Sequence, residues 1–255
     1  MFATPPRQKN RKIEPGSPSS EAMRAYRIDL NDGPLRISAT TFGDGPRAML
    51  LHGWGGSAND MLPLARAFAQ AGWRSVVFDM PGHGRSPQRE SSLVEFLRAM
   101  RLVAGALGTP EIIVGHSFGG AAAVFGITEL LLPVRAAVLV APAPGPSYYV
   151  DQFVRAVGLP AARTNGMVRQ LVERVGRPME SLDALVAARA ATVPALIVHD
   201  PRDREVSFEF AKQMQEAWRG SRLMPAPSLG HKRILRDAAM IDAAVDFVRS
   251  VTRGG

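Results

Sequence analysis

The chain has 255 residues, a formal charge of +8 at pH 7 and no cysteine, which excludes disulfides, thiolate catalysis and cysteine-based metal sites. With 46% hydrophobic and 21% charged residues, it suits one large α/β domain with a buried core better than a disordered chain. The excess charge is mostly scattered arginine, with no aromatic-interleaved basic stripe and no recognisable nucleic-acid module, so no nucleic-acid partner is expected.

Residues 1–22 read as a disordered leader, because Thr4 to Ser20 is Pro, Ser and basic residues, including the cluster Arg7, Lys9, Arg11 and Lys12. The leader lacks the apolar run of about 7–15 residues that a secretory signal needs. No run of about 18 apolar residues offers a membrane span. Together with the absence of cysteine, this fits a cytoplasmic protein.

Met23–Leu30 and Leu35–Phe42 read as two strands around the turn Asn31-Asp32-Gly33, with Pro34 at a strand start. Ala48–Leu51 is a short buried strand after Gly43-Asp44-Gly45-Pro46. Helix and strand then alternate: a helix over Asp60–Ala71, a strand over Ser75–Phe78, and a helix capped by Ser91 or Ser92 and running to Leu107, with Glu95 in its first turn. A strand over 111–114, a helix over Ala121–Leu132 and a strand over Arg135–Val140 follow. The C-terminal part reads as a strand over Pro194–Val198, a helix over Phe208–Trp218, a short strand at Leu223-Met224 and a helix over Ile234–Val251. Apolar strands alternating with amphipathic helices predict an α/β fold: a mainly parallel sheet covered on both faces, with an antiparallel hairpin at its start.

Residues 143–192 break that rhythm. Helical patterns at Val150–Val157, Met167–Val175 and Leu182–Ala190 are split by Gly158-Leu159-Pro160 and Gly176-Arg177-Pro178. They read as a compact helical cap inserted into a core made of residues 23–142 and 193–255.

The chemistry concentrates at strand ends. Gly115-His116-Ser117-Phe118-Gly119 follows the strand at 111–114 and precedes a helix, the context of a nucleophile elbow that lifts a serine hydroxyl above the sheet. His52-Gly53-Trp54-Gly55-Gly56 is placed to supply a second N–H for an oxyanion, so the Trp54 and Phe118 amides are the expected pair. His52 itself reads as structural. Asp79-Met80-Pro81-Gly82-His83-Gly84-Arg85-Ser86 reads as a tight loop with a hydrogen-bonded His83 and no chemistry. The segment His199–Val206 must hold the acid of a serine triad, and two aspartates compete for the part. Asp203 lies deeper in the loop and is free to point back at a histidine, whereas Asp200 ends the strand and is suited to bonding loop amides. Of five histidines, His231 alone follows both Ser117 and a candidate acid, which makes it the expected base.

Taken together these motifs resemble the α/β-hydrolase fold superfamily over residues 24–253, as a serine esterase-like member with a short helical cap. The resemblance implies a central sheet of about eight strands. It also implies an acid four positions beyond His199, which favours Asp203, and a structural role for Asp79–Ser86. Asp200 departs from the pattern, standing where glycine is usual. The implied chemistry is attack by Ser117 on a small-to-medium carboxylic ester, through an acyl-enzyme, with His231 as base and no metal or other cofactor. Tyr148, Tyr149 and Phe153 are the cap residues expected to wall an apolar acyl pocket. Arg202, Arg204, Lys232 and Arg233 read either as solvated charges or as a rim for anionic acyl groups, and an apolar cap face could pair two chains in a homodimer. C–C bond hydrolysis, a lyase step, cofactor-free perhydrolysis or non-catalytic binding of a small ligand are the alternative readings on the same scaffold. A dehalogenase is disfavoured, because related enzymes of that type carry aspartate where Ser117 stands.

Overall fold

The computed structural model describes residues 4–5 and 25–252. The expected leader therefore lies almost wholly outside the described residues. Eight strands form one sheet: β1 (Ala25–Asp32), β2 (Leu35–Phe42), β3 (Arg47–Leu51), β4 (Arg74–Phe78), β5 (Ile112–His116), β6 (Ala136–Val140), β7 (Ala195–His199) and β8 (Ser221–Pro225). Their order is β1-β2-β4-β3-β5-β6-β7-β8, with β1–β2 and β2–β4 antiparallel and every other pair parallel.

All five residues of β5 and of β6 are buried, as expected of strands covered on both faces. One face packs Ile113, Leu139 and Ile197 against α2 (Leu93–Leu107), α3 (Phe118–Thr128) and α7 (Phe208–Ala217). The other packs Val114, Val138 and Val198 against α1 (Leu62–Gln70) and the last helix, α9 (Ala238–Thr252). Ser92, not Ser91, caps α2 by accepting the Glu95 amide at 3.3 Å.

Three boundaries differ from the local reading. The hairpin pairs Asp32 with Leu35, so Asn31 and Asp32 belong to β1 and the turn is Gly33-Pro34, where Gly33 supplies φ +54°. Helix α3 begins at Phe118, three positions before the Ala-rich run, because the strained turn at Ser117 launches it directly. The C-terminal helical stretch is broken into α8 (Gly230–Arg233), a 3₁₀ turn over Ile234–Arg236 and α9, since Asp237 accepts the Met240 amide at 2.9 Å and starts a new helix.

Between β6 and β7 lie α4 (Pro146–Val157), α5 (Ala161–Val175), a 3₁₀ turn over Met179–Leu182 and α6 (Ala184–Ala188). Helices α4 and α5 end on Gly158 and Gly176, both left-handed (φ +60° and +73°), at the two Gly-x-Pro breaks. None of α5 is fully buried, whereas Ala184 and Ala188 of α6 join the core beneath the sheet face. Asp183 separates α6 from the preceding turn by accepting the Leu185 amide at 2.7 Å.

Candidate active site

Ser117 stands between β5 and α3 with φ 53° and ψ −120°, a left-handed conformation that costs a non-glycine residue about 1–3 kcal/mol. The turn is held on both sides: the Ser117 amide donates to the Val140 carbonyl at 3.0 Å, and the Ser117 carbonyl accepts the amides of Gly120 at 2.8 Å and Ala143 at 3.0 Å. A side chain at Gly119 would put a Cβ 2.5 Å from the carbonyl oxygens of Leu51 and His52. Glycine there lets α3 start against the end of β3, which brings the two strand-end loops together.

On the β3 side, the Gly56 amide donates to Gly53 at 3.0 Å, closing a turn whose second residue is Trp54. The N–H at that turn position has no partner within the turn, and Phe118, as the first residue of α3, has none within the helix. These are the two amides proposed for an oxyanion. Gly53 carries the close approach, since a Cβ there would sit 2.9 Å from Ser117 Cβ and 3.1 Å from His116 Nδ1.

Two buried histidines tie this loop to residues 79–86. His52 donates from Nδ1 to the Gly53 carbonyl at 2.8 Å and accepts the Met80 amide at Nε2 at 3.0 Å. His83 donates from Nδ1 to Pro81 at 2.9 Å and accepts the Gly55 amide at 3.1 Å. Burial pushes His52 down to about 4 and His83 down to about 3, so both are neutral, as one donor and one acceptor per ring requires. Asp79 accepts the amides of Ala58 at 2.8 Å and Arg85 at 2.9 Å, and burial pushes its carboxyl up. A side chain at Gly84 would collide with that carboxylate.

Beyond β7 the two aspartates separate. Asp203, its side chain fully buried, accepts His231 Nδ1–H at Oδ2 at 2.7 Å and the amides of Glu205 (2.8 Å) and Val206 (3.1 Å) at Oδ1. His199 lies 3.3 Å from the same Oδ2 and donates from Nε2 to the Val206 carbonyl at 3.0 Å. Burial opposes ionisation of Asp203, yet the hydrogen bonds from His199 and His231 hold its carboxyl well below the usual carboxylate range. Asp200 instead accepts backbone amides, from Arg202 at 2.8 Å and Gly230 at 2.5 Å. It thereby pins the residue before His231. Despite burial, these amides hold the Asp200 carboxyl low as well.

His231 reaches the turn at Ser117 through its backbone. His116 donates from Nε2 to the His231 carbonyl at 2.8 Å, and the two rings lie 4.8 Å apart. In this arrangement Ser117 Oγ contacts the Tyr149 hydroxyl at 3.4 Å, and His231 Nε2 faces the Glu205 carboxylate at 3.9 Å. The structure thus joins Asp203 to His231 and sets both beside the residue preceding Ser117. His116, His199 and Glu205 are contributors that the sequence reading left without a role. The strand-end position of His199, four residues before Asp203, was the one visible signal.

A cavity of about 400 Å³ opens next to the elbow. Trp54, Phe118 and Tyr149 wall it on the elbow side, and Leu171, Val175 and Met179 from the residues after β6 wall it opposite. Tyr149 alone of the three expected aromatics lines it. Tyr148 instead donates to the Glu205 carbonyl at 2.9 Å, and Phe153 is half-buried further along α4. Its rim carries the ion pair Arg174–Glu90 at 2.8 Å. Arg202, Arg204, Lys232 and Arg233 are exposed around Asp203 and His231, with Arg233 bonded to the carbonyls of Leu229 and Ser228.

The sequence matches the family model described as "Alpha/beta hydrolase family" over residues 48–249. The chain belongs to the α/β hydrolase family. A pimeloyl-[acyl-carrier protein] methyl ester esterase of Aeromonas salmonicida is 35% identical over 86 residues, which is 34% of each chain. One from Shewanella woodyi is 26% identical over 152 residues, 60% of this chain and 57% of that one. The chain therefore spans about a third to under three-fifths of these relatives' lengths. Among solved structures, Est1E from Butyrivibrio proteoclasticus, determined with bound ferulic acid, superposes with a TM-score of 0.72 at 16% identity, covering 89% of this chain and 99% of that one. An esterase from Exiguobacterium antarcticum gives 0.67 at 20% identity, with 88% and 98% covered. At such identities these two show the α/β hydrolase fold and no more. Among the described residues no helix is long and apolar enough to cross a membrane, and no group of three or more His, Asp or Glu is placed to hold a metal.

Proposed function

We propose that this α/β hydrolase cleaves carboxylic esters of small to medium acyl chains through an acyl-enzyme on Ser117. The observation that carries the reading is the buried 2.7 Å hydrogen bond between Asp203 and His231, set beside a strained serine at a strand-to-helix turn. Asp203 holds the His231 tautomer with Nδ1 protonated, which leaves Nε2 free to take the serine proton. The Trp54 and Phe118 amides receive the oxyanion, a contribution of about 2.7–4 kcal/mol for a single donor. The methyl ester esterases among the relatives support ester over amide as the bond broken. Residues 143–192 act as a cap, and the apolar cavity beneath them takes the acyl chain.

The test is a chain-length panel of nitrophenyl esters on the wild type and on Ser117→Ala, with labelling by a fluorophosphonate probe. The wild type is expected to hydrolyse the panel and to label once per chain, and S117A to lose both. Hydrolysis by S117A at the wild-type rate would refute the assignment, as would a wild type that neither hydrolyses nor labels.

A further inference from the structure

We propose that Tyr149 is a further catalytic residue, its hydroxyl a fixed hydrogen-bond donor to Ser117 Oγ that stabilises the serine oxygen as it leaves the acyl group. The proposal rests on the serine-hydrolase reading above and goes beyond it by giving a residue of the inserted helices a part in the chemistry.

Three observations place the phenol. It lies 3.4 Å from Ser117 Oγ, and its ring packs edge-on against Phe118 (centroids 5.8 Å apart) and against Tyr148 (5.5 Å). Its neighbour Tyr148 anchors α4 to the acid loop, donating to the Glu205 carbonyl at 2.9 Å while accepting from Gln152 at 2.9 Å. The hydroxyl is thus aimed at the nucleophile by packing on one side and by a tether to the loop of Asp203 and Glu205 on the other. Burial pushes Tyr149 up to about 12, so the phenol keeps its proton at any working pH and can donate.

The step at which this donor acts follows from the charges. In deacylation, water attacks the acyl carbon and gives a proton to His231, and the oxyanion sits on the Trp54 and Phe118 amides. The intermediate then collapses: the bond from carbon to Oγ breaks, its electron pair stays on Oγ, and the carboxylic acid departs. Until His231 returns its proton, Oγ carries developing negative charge, and the Tyr149 O–H donates to it without transferring a proton. The two oxyanion amides serve the carbonyl oxygen and do nothing for Oγ. A hydrogen bond to a charged oxygen outweighs one to a neutral one, so the contact strengthens as the barrier is climbed.

Tyr149→Phe tests this, because it keeps the ring contacts and removes only the hydroxyl. Pre-steady-state release of nitrophenol should show a burst in which acylation slows less than turnover. Steady-state kcat should fall about 10–100-fold and KM should fall with it, because both scale with the deacylation rate, so that kcat/KM changes much less than kcat. Tyr149→Leu, which also removes the cavity wall, should add a rise in KM. Both variants should label with fluorophosphonate once per chain, showing that the elbow is intact. An unchanged or increased kcat in Y149F would overturn the proposal, since the tyrosine would then only park the serine. So would a loss of kcat/KM in Y149F as large as the loss of kcat, which marks a defect in binding or acylation rather than in the deacylation step. A wild type that neither labels nor turns over would defeat the esterase reading itself, whereas an active wild type matched by Y149F defeats only this inference.

Discussion

His116 and His231 are joined by a buried hydrogen bond from the His116 ring to the His231 carbonyl at 2.8 Å, across 115 positions of chain. This bond fixes His231, the proposed base, by its backbone, one residue from Ser117, the proposed nucleophile. Burial pushes His116 down to about 3, which keeps it a neutral donor. His116→Phe is expected to lower kcat/KM about 10–100-fold, because the base loop loses its tie to the elbow. It should also cost about 1–3 kcal/mol of stability through the buried carbonyl left without a donor. Steady-state kinetics and denaturant unfolding check the two parts.

Asp203 and Asp200 should fail in different ways. Asp203→Asn leaves the His231 tautomer uncontrolled, and kcat is expected to fall about 10³–10⁴-fold with the fold retained. Asp200 binds amides rather than the ring. Asp200→Asn is therefore expected to lose about 1–3 kcal/mol of stability while the folded fraction stays active to within about 10-fold. A larger loss of kcat in D200N than in D203N would reverse the assignment of the acid.

Stability should decline on acidification well before the carboxylates titrate. His52, His83 and His116 are pushed down to about 4, 3 and 3 by burial, whereas in the unfolded chain histidine titrates near pH 6.5. Between those limits the unfolded state binds more protons, so stability falls as pH drops from about 6.5 toward 4. Each unit of displacement is worth about 1.4 kcal/mol. Asp203 and Asp200, held low, add a loss that starts below about pH 4, and Asp79, held high by burial, acts in the opposite direction. Denaturant midpoints measured from pH 7 to pH 4 should fall throughout; a flat profile would contradict the neutral, buried assignment of the three rings.

Gly53 has room for a hydrogen and nothing more. Gly53→Ala would bring a methyl group 2.9 Å from Ser117 Cβ and 3.1 Å from the His116 ring. The relaxation is expected to cost about 1–3 kcal/mol of stability and to cut kcat more than KM, because the displaced atoms are those of the elbow and the oxyanion turn. Thermal unfolding and Michaelis kinetics on a short ester separate the two effects.

The cavity wall offers a direct test of acyl selection. Leu171 faces the space beneath the inserted helices, and Leu171→Trp fills part of it. Activity should be retained on acetyl and butyryl esters and lost by about 10-fold or more on chains that need the far end. An unchanged chain-length profile would mean that the acyl group lies elsewhere.

Much of this architecture was legible locally. The buried strands announce themselves as short apolar runs, the strand-to-helix turn as a serine between glycines, and the helices between β6 and β7 as patterns cut at Gly158 and Gly176. Where the reading slipped, a local preference met a tertiary demand. Asn31-Asp32 favours a turn, but the ladder to β2 extends β1 through both residues. Ala121 opens the best helical run, but the turn at Ser117 starts the helix earlier to bring its first amides beside β3.

By itself, then, the chain determined the alternation of strands and helices, the turn at Ser117 and the order serine, aspartate, histidine. All three depend on periodicity, glycine placement and sequence order, which are properties of neighbours in the chain. Only the tertiary structure decided which oxygen meets which nitrogen: Asp203 on His231, Asp200 on the Gly230 amide, His116 on the His231 carbonyl, Tyr149 rather than Tyr148 on the serine. Those contacts join segments remote in sequence, and their geometry is set by how helices and loops pack over the strand ends, to within tenths of an ångström that no local pattern encodes.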